Sequence, residues 1–497
     1  MGVSNGEINE SGNGTNMNEH KENKKELWIN VTSSYNWRNH HPVGIIRVEL
    51  EAVRFFLNSN LFDVHFYFYN RPTDEFIELT AKYVADVILG ISQDNLCNTP
   101  NEYKKIKKPL AHQTVKGKVK MLVLKSVRKL PQATQPIAWV VLSKMRKAYY
   151  HAYLVPRYRV LKKISTLKKN GEVLVFQDLP PGSRQKAEAL FNKNTISLSL
   201  GLDWDFLNIK NHYKVKKKTN CKLVFFCYDV IPVKFPHLTL DDVARHFTHY
   251  FVDIAWTADH IFCISKNTER DLKKYFREVG APVPSTSVVR LGDKVPQTRK
   301  DDYEPAIMES FHLDEPFILF VSTIERRKNH ETLYRAYRRL IEQGETNLPR
   351  LIFVGMKGWG VNDFLEDLKR DPLVKDQITI LHGIVDNDLN WLIRNCLFTV
   401  YPSLYEGWGL PVAESLSYGK FCIAADNSSI PEVGGDLVEY IDAYDVPKWA
   451  ERLLFYFKNP QEITKREKLI KAKYRPDTWK SFGLVMQRQL LKIANET

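Results

Sequence analysis

The sequence predicts an α/β fold of two doubly wound, Rossmann-like domains that face a central cleft. Short apolar runs alternate with helical stretches along most of the 497 residues, the pattern of parallel strands covered by helices on both faces. The runs fall into two series, parted by a polar segment at 295–305 with a proline near each end. A chain of this length with 43% hydrophobic residues can bury two full cores, and a single domain of this size would be unusual.

Residues 1–26 are polar, rich in Asn, Glu, Gly and Lys, and read as a disordered tail with no signal-peptide pattern. Met1-Gly2 fails as a myristoylation start because position six is Gly6. The first domain, 27–300, takes strands at 27–31, 64–69, 173–177, 196–200, 223–228, 261–265 and 287–291. The second, 301–475, takes strands at 317–321, 351–354, 378–381, 397–401 and 421–425. No apolar run reaches about 18 residues, so no membrane-spanning helix is expected. The six cysteines form no C-x-x-C pair, and most lie in or beside apolar strands. That argues for a reducing compartment and against a disulfide frame or a zinc site.

Charge is concentrated in an insertion at about 101–170, which holds 19 Lys or Arg and one acid, Glu102. Its net charge of +18 exceeds the +14 of the whole chain and implies an anionic partner. Trp139, Tyr149, Tyr150 and Tyr153 accompany the basic residues, which suits the headgroup layer of an anionic membrane. A plain solvated helical insertion is the second reading. Nucleic acid is disfavoured, since no nucleic-acid module is visible and the aromatics cluster with aliphatics.

The most informative segment is 405–415. Glu406 and Glu414 stand with seven residues between them, Gly407, Trp408 and Gly409 following the first and an apolar helix start at Leu410 carrying the second. A strand at 397–401 precedes them, so the order is strand, glycine turn, helix. Such an arrangement offers backbone N–H groups to an anion at a helix N-terminus. Carboxylates beside an anion site are better used on sugar hydroxyls than on the phosphate, which they repel. Upstream, Ser322-Thr323-Ile324-Glu325-Arg326-Arg327-Lys328-Asn329 follows the apolar strand at 317–321 and places cations at a strand's carboxyl end.

These segments resemble the retaining family-4 glycosyltransferases of the two-domain GT-B type, in the subgroup that builds bacterial surface polysaccharides. The E-x7-E pair and the Arg-Lys-Asn element are joined by Cys227-Tyr228-Asp229-Val230-Ile231-Pro232, similar to a His-Asp-x-x-Pro segment near the acceptor. Asp259 to Ser265 is similar to the strand before a Ser-x5-Asp helix, and Gly44-Ile45-Ile46-Arg47 to a Gly-Ile-x-Arg loop after the first strand. The resemblance covers roughly 27–70 and 171–490. Two departures stand out: Tyr228 replaces the histidine before the aspartate, and Ser322-Thr323 occupies a stretch where a basic residue is common, which leaves Arg327 to supply the second positive charge.

The resemblance implies transfer of a hexose, with retention at the anomeric carbon, from a nucleotide-diphosphate sugar to a glycan or lipid-linked glycan. GDP-mannose is the first donor to consider, and no further cofactor is implied. Glu406 would hold hydroxyls of the transferring sugar and Glu414 the ribose. Arg327 and Lys328 would neutralise the diphosphate, with backbone amides near Gly407, Gly409 and Leu410. Gly44 would let the first loop approach the phosphates closely. Asp229 would lie on the acceptor side, as a base or as a positioning group. Residues 476–497 would be a helix crossing back to the first domain. The expected location is cytoplasmic, at the inner face of the membrane, with the basic insertion as the contact.

Two D-x-D triplets, Asp203-Trp204-Asp205 and Asp386-Asn387-Asp388, raise a metal-dependent alternative. Asp386 reads instead as a helix N-cap, and Arg327, Lys328 and a helix N-terminus can carry the diphosphate charge without a metal. A nucleotide-sugar epimerase on the same fold and a basic binding protein without catalysis are the other readings; intact Glu406, Glu414 and Lys328 speak against the latter.

Overall fold

The computed structural model describes residues 25–38, 44–71, 73–90, 184–185, 187–293 and 315–496. The chain divides into two units, 1–96 with 182–497, and 97–181. The tail at 1–24, the basic insertion, the expected strand at 173–177 and the linker at 295–305 lie outside the described residues.

Among the described residues of the larger unit, fourteen strands form two sheets. The first holds β1 (Glu26–Asn30), β2 (Asp63–Asn70), β3 (Glu75–Leu79), β4 (Arg184–Gln185), β5 (Thr195–Ser199), β6 (Lys222–Cys227), β7 (His260–Cys263) and β8 (Ser285–Val288), in the order β4-β3-β2-β1-β5-β6-β7-β8. The second holds β9 (Phe317–Val321), β10 (Arg350–Val354), β11 (Ile378–Leu381), β12 (Thr399–Tyr401), β13 (Cys422–Ala425) and β14 (Glu439–Ile441), in the order β11-β10-β9-β12-β13-β14. Every pairing in the second sheet is parallel. Its central strands are buried on both faces, which is why they read as unbroken apolar runs such as Phe317-Ile318-Leu319-Phe320.

The first sheet departs from the expected all-parallel pattern at one edge. There β2, β3 and β4 pair antiparallel, because only a short turn (Arg71 to Asp74) joins β2 to β3, and a parallel return needs a crossover of a dozen residues or more. Glu75–Leu79 and Glu439–Ile441 are strands that the apolar-run reading leaves out.

The helix Trp479–Asn495 lies against the helix Ile45–Leu57 of the first sheet's lobe. Gly483 makes that contact possible: a Cβ there would come within 2.2 Å of the Phe55 ring. Gln487 donates to Ser59 Oγ at 2.6 Å, and Lys222 Nζ to the Ile493 carbonyl at 2.6 Å. The helix Trp479–Asn495 is thus part of the first lobe's packing.

Candidate functional site

Strand order in the second sheet sets where its ligand site can open. From β9 the chain steps outward to β10 and β11, then returns to β12 on the other side of β9. Loops leaving β9 and β12 therefore diverge and form a crevice at the strands' carboxyl ends, where doubly wound sheets bind ligands. Arg327 and Lys328 lie on one of these loops and Glu406 on the other.

After β9 the chain makes one turn at Arg326–Lys328 and enters the helix His330–Glu342 through Asn329, whose φ is +61°. The Asn329 amide donates to the carbonyls of Pro402 (3.0 Å) and Ala443 (2.8 Å), so the turn is tied to its neighbours beyond β12 and β14. Arg327 then pairs with Glu325 (Nη2 to Oε1, 2.7 Å) and with Glu406 (Nη1 to Oε2, 2.7 Å). Lys328 Nζ lies 2.6 Å from Glu406 Oε1 and donates to the Tyr401 hydroxyl at 2.9 Å. The same Glu406 oxygen accepts from Ser403 Oγ (2.6 Å) and the Tyr401 hydroxyl (2.9 Å).

The cluster is buried. Burial pushes the Glu406 carboxyl up, but Arg327 and Lys328 outweigh it and hold it at about 2. Burial also lowers the Lys328 ammonium, an effect that Glu406 opposes without cancelling. Sequence reasoning sets Glu406 over a ligand, on sugar hydroxyls; in the structure it is also the counter-ion of Arg327 and Lys328. The physical reason is that two buried cations without a partner carry a large desolvation penalty, and Glu406 is the carboxylate within reach of both.

Gly407, Gly409 and Leu410 lead from Glu406 into the helix Leu410–Ser417. Gly409 has φ +121°, a conformation open to glycine and strained for other residues. Gly407 is required by space, since a Cβ there would lie 2.1 Å from the Tyr228 carbonyl oxygen. The turn is held by two residues that sequence reasoning missed. Ser428 Oγ accepts from the Glu406 N–H at 3.0 Å, and Ser429 Oγ donates to the Glu406 (3.0 Å) and Trp408 (2.7 Å) carbonyls. Glu414 sits in the second turn of the helix. Burial raises its carboxyl to about 7, against the pull of Arg47, and its side chain has no hydrogen-bond partner among the described residues.

On the opposite side, Asp229 follows β6. Its Oδ1 accepts from the Ile231 N–H at 2.9 Å, and burial raises its pKa against the charge of Arg327. Tyr228, where a histidine is expected, is buried and donates to the Leu200 carbonyl at 2.5 Å. Gly44 precedes the helix Ile45–Leu57 at φ +52°, and a Cβ there would meet nothing within 4 Å. Backbone conformation, more than room within the protein, calls for glycine at this point.

A second polar group links the lobes. Tyr405 donates to Asp271, and Lys234 Nζ reaches both Asp271 Oδ2 (2.7 Å) and the Tyr405 hydroxyl (2.6 Å). Glu432 accepts from the N–H groups of Lys266 (2.9 Å) and Asn267 (2.7 Å), at the start of the helix Lys266–Glu278. Asp271 is the last residue of the Ser265-x5-Asp271 spacing, the one sequence signal that could have found this group.

The D-x-D residues are placed differently from the expectation. Asp386 is the first residue of the helix Asp386–Asn395, and Val385 holds the cap position. A carboxylate there gains from the helix dipole without capping the helix. Asp203 is buried and accepts from Ser199 Oγ at 2.6 Å, and burial raises its carboxyl to about 8; Asp205 is exposed.

Residues 306–475 match the family model described as Glycosyl transferases group 1. The Escherichia coli serotype-specific mannosyltransferase WbdA is 28% identical over 200 residues, which cover 38% of this chain and 24% of WbdA. The Escherichia coli O-antigen chain mannosyltransferase B is 28% identical over 199 residues, covering 40% of this chain and 51% of that protein. The chain thus spans about a quarter to a half of the length of these relatives. Among solved structures, Anabaena Alr3699/HepE in complex with UDP and glucose superposes with a TM-score of 0.52, covering 94% of this chain and 100% of that one at 10% identity. That likeness concerns the fold, the two-sheet GT-B architecture.

Proposed function

We propose that this chain, which carries a glycosyl transferases group 1 domain over residues 306–475, is a retaining hexosyltransferase of surface polysaccharide synthesis. It moves mannose or a related deoxyhexose from a nucleotide-diphosphate donor, GDP-mannose first among the candidates, to a hydroxyl of a glycan or lipid-linked glycan. The observation that carries this reading is the Arg327–Glu406–Lys328 cluster at the β9–β12 switch point.

The donor diphosphate takes the place of the Glu406 carboxylate on Arg327 and Lys328, and the released carboxylate turns to hydroxyls of the transferring sugar. As the bond to the diphosphate breaks, negative charge grows on the leaving oxygen. Arg327, Lys328 and the helix N-terminus at Gly409 and Leu410 stabilise it, each well-placed donor by a few kcal/mol. Glu414 holds the ribose, backbone amides near Gly407, Gly409 and Leu410 meet the phosphates, and Gly44 lets the first loop approach them. Asp229 receives the accepting hydroxyl from the other side of the crevice. Glu325 keeps Arg327 fixed during the exchange. The basic segment at 101–170 docks the protein on the inner face of an anionic membrane, near lipid-linked acceptors.

The test is a thermal-shift panel of GDP-, UDP- and dTDP-sugars on the wild type and on Lys328→Ala, followed by the anomeric configuration of the product by NMR. One donor should stabilise the wild type, and Lys328→Ala should weaken it by about one to two decades. A product with inverted configuration, or a Lys328→Ala protein with undiminished donor affinity, would overturn the assignment.

A further inference from the structure

Asp229 and Arg327 also line a cavity of about 300 Å³ for which the transfer steps above have no use. Trp204, Phe226, Phe247, Tyr250 and Phe251 make up much of its wall, and Leu240 and Val243 stand on another side. This volume is at the lower end of the range for small-molecule sites, which are mostly apolar with a few placed polar groups.

The polar groups of this wall are largely engaged. Trp359 Nε1 donates to the Leu238 carbonyl at 3.2 Å, Tyr228 to Leu200, and Thr239 Oγ1 to the Pro236 carbonyl at 3.1 Å. One Asp229 oxygen is taken by the Ile231 N–H. Among the described residues, the second Asp229 oxygen, the Tyr250 hydroxyl and the Trp204 indole N–H are without a hydrogen-bond partner. A hexose sealed into this space would bring more hydroxyls than these three groups can satisfy, and each one buried unpaired is costly. An alkyl or aryl group would lose no hydrogen bonds on entering.

We infer that the cavity receives an apolar alkyl or aryl aglycone of the acceptor, while the accepting hydroxyl lies at Asp229, where the aromatic wall meets the Arg327 cluster. The inference rests on the glycosyl-transfer reading for its orientation and on the cavity itself for its chemistry. It narrows the acceptor class from any glycan to a glycoside whose reacting sugar is close to an apolar group.

The experiment measures binding of n-octyl α-D-mannopyranoside and methyl α-D-mannopyranoside to the whole protein by calorimetry, below the micelle concentration and without donor. Each buried methylene is worth about fourfold, so two or more give at least tenfold tighter binding of the octyl glycoside. Leu240→Trp, at a residue 54% exposed on the cavity wall, should remove that advantage and leave methyl mannoside binding as it was. Val243→Phe serves as a second block, and unchanged GDP binding shows that each variant is folded. Equal affinity for the two glycosides, or an octyl advantage that survives both blocks, would overturn the inference. An octyl preference with no turnover of any nucleotide sugar would sink the transfer reading and leave the cavity assignment standing; turnover without the preference would do the reverse.

Discussion

Replacing Glu406 by Gln keeps the shape of the side chain and removes its charge, so it isolates the counter-ion role. In the folded chain this carboxyl is held at about 2, against an ordinary value of 4.5. That difference favours the native state by roughly 3 kcal/mol when the group is ionised. The sign follows from a depressed carboxylate: the contribution is complete above pH 4.5 and is lost as the pH falls from 4.5 through 2. Glu406→Gln should therefore be less stable than the wild type by roughly 3 kcal/mol at pH 7, with the gap closing in acid. The assay is urea unfolding followed by tryptophan fluorescence at pH 7, 5 and 3.5. Loss of the internal carboxylate also leaves Arg327 and Lys328 partly uncompensated, so GDP should bind the variant more tightly, on the order of tenfold, even as sugar transfer falls. Equal stability at pH 7, or GDP binding that is unchanged or weaker, would refute the claim that Glu406 occupies the place of a diphosphate.

Glu414→Gln should act with the opposite sign on stability: a carboxyl raised to about 7 by burial costs the fold stability as the pH rises from 4.5 to 7. The variant should gain up to about 3 kcal/mol at pH 8 and nothing at pH 4, as melting curves at the two pH values will tell. Gly407→Ala places a methyl group 2.1 Å from the Tyr228 carbonyl, so kcat/KM should fall at least about tenfold while circular dichroism is retained. Activity should persist in EDTA, because Arg327, Lys328 and a helix N-terminus offer the positive potential a diphosphate needs. Complete loss restored by manganese or magnesium would reverse that expectation. Liposome co-sedimentation should depend on anionic lipid and weaken at high salt, since each basic residue at such a surface contributes on the order of 1 kcal/mol; neutralising the lysines of 101–170 should abolish it.

Strands buried on both faces were the most legible part of this fold. β6, β9 and β10 declare themselves as apolar runs, whereas β3, with Glu75 and Glu78 in a five-residue strand, and the three-residue β14 do not. The E-x7-E spacing and the Arg327-Lys328 pair could be read because each motif is local. What could not be read is which charges neutralise which: Glu406 meets Arg327 across 79 positions of sequence, and Tyr405 meets Asp271 across 134. Those distances are closed by the parallel order of strands, which no local pattern encodes. Asp203 shows a related limit. Its spacing with Asp205 suggests a shared ligand, but the helical turn Asp203–Phe206 buries one carboxylate and exposes the other.

The helix Trp479–Asn495 has a bearing on how the chain is made. Its docking partner, Ile45–Leu57, leaves the ribosome more than 400 residues earlier, which at 5–20 residues per second is an interval of roughly 20–90 s. Throughout that interval Phe55 has no Gly483 to lie against, and Lys222 lacks the Ile493 carbonyl. The first sheet can form early, yet its outer surface is finished only after the second sheet has been completed. A nascent chain of this protein therefore carries Ile45–Leu57 uncovered on that side until Trp479–Asn495 has been made, and the first lobe is finished only with the second although it is translated long before.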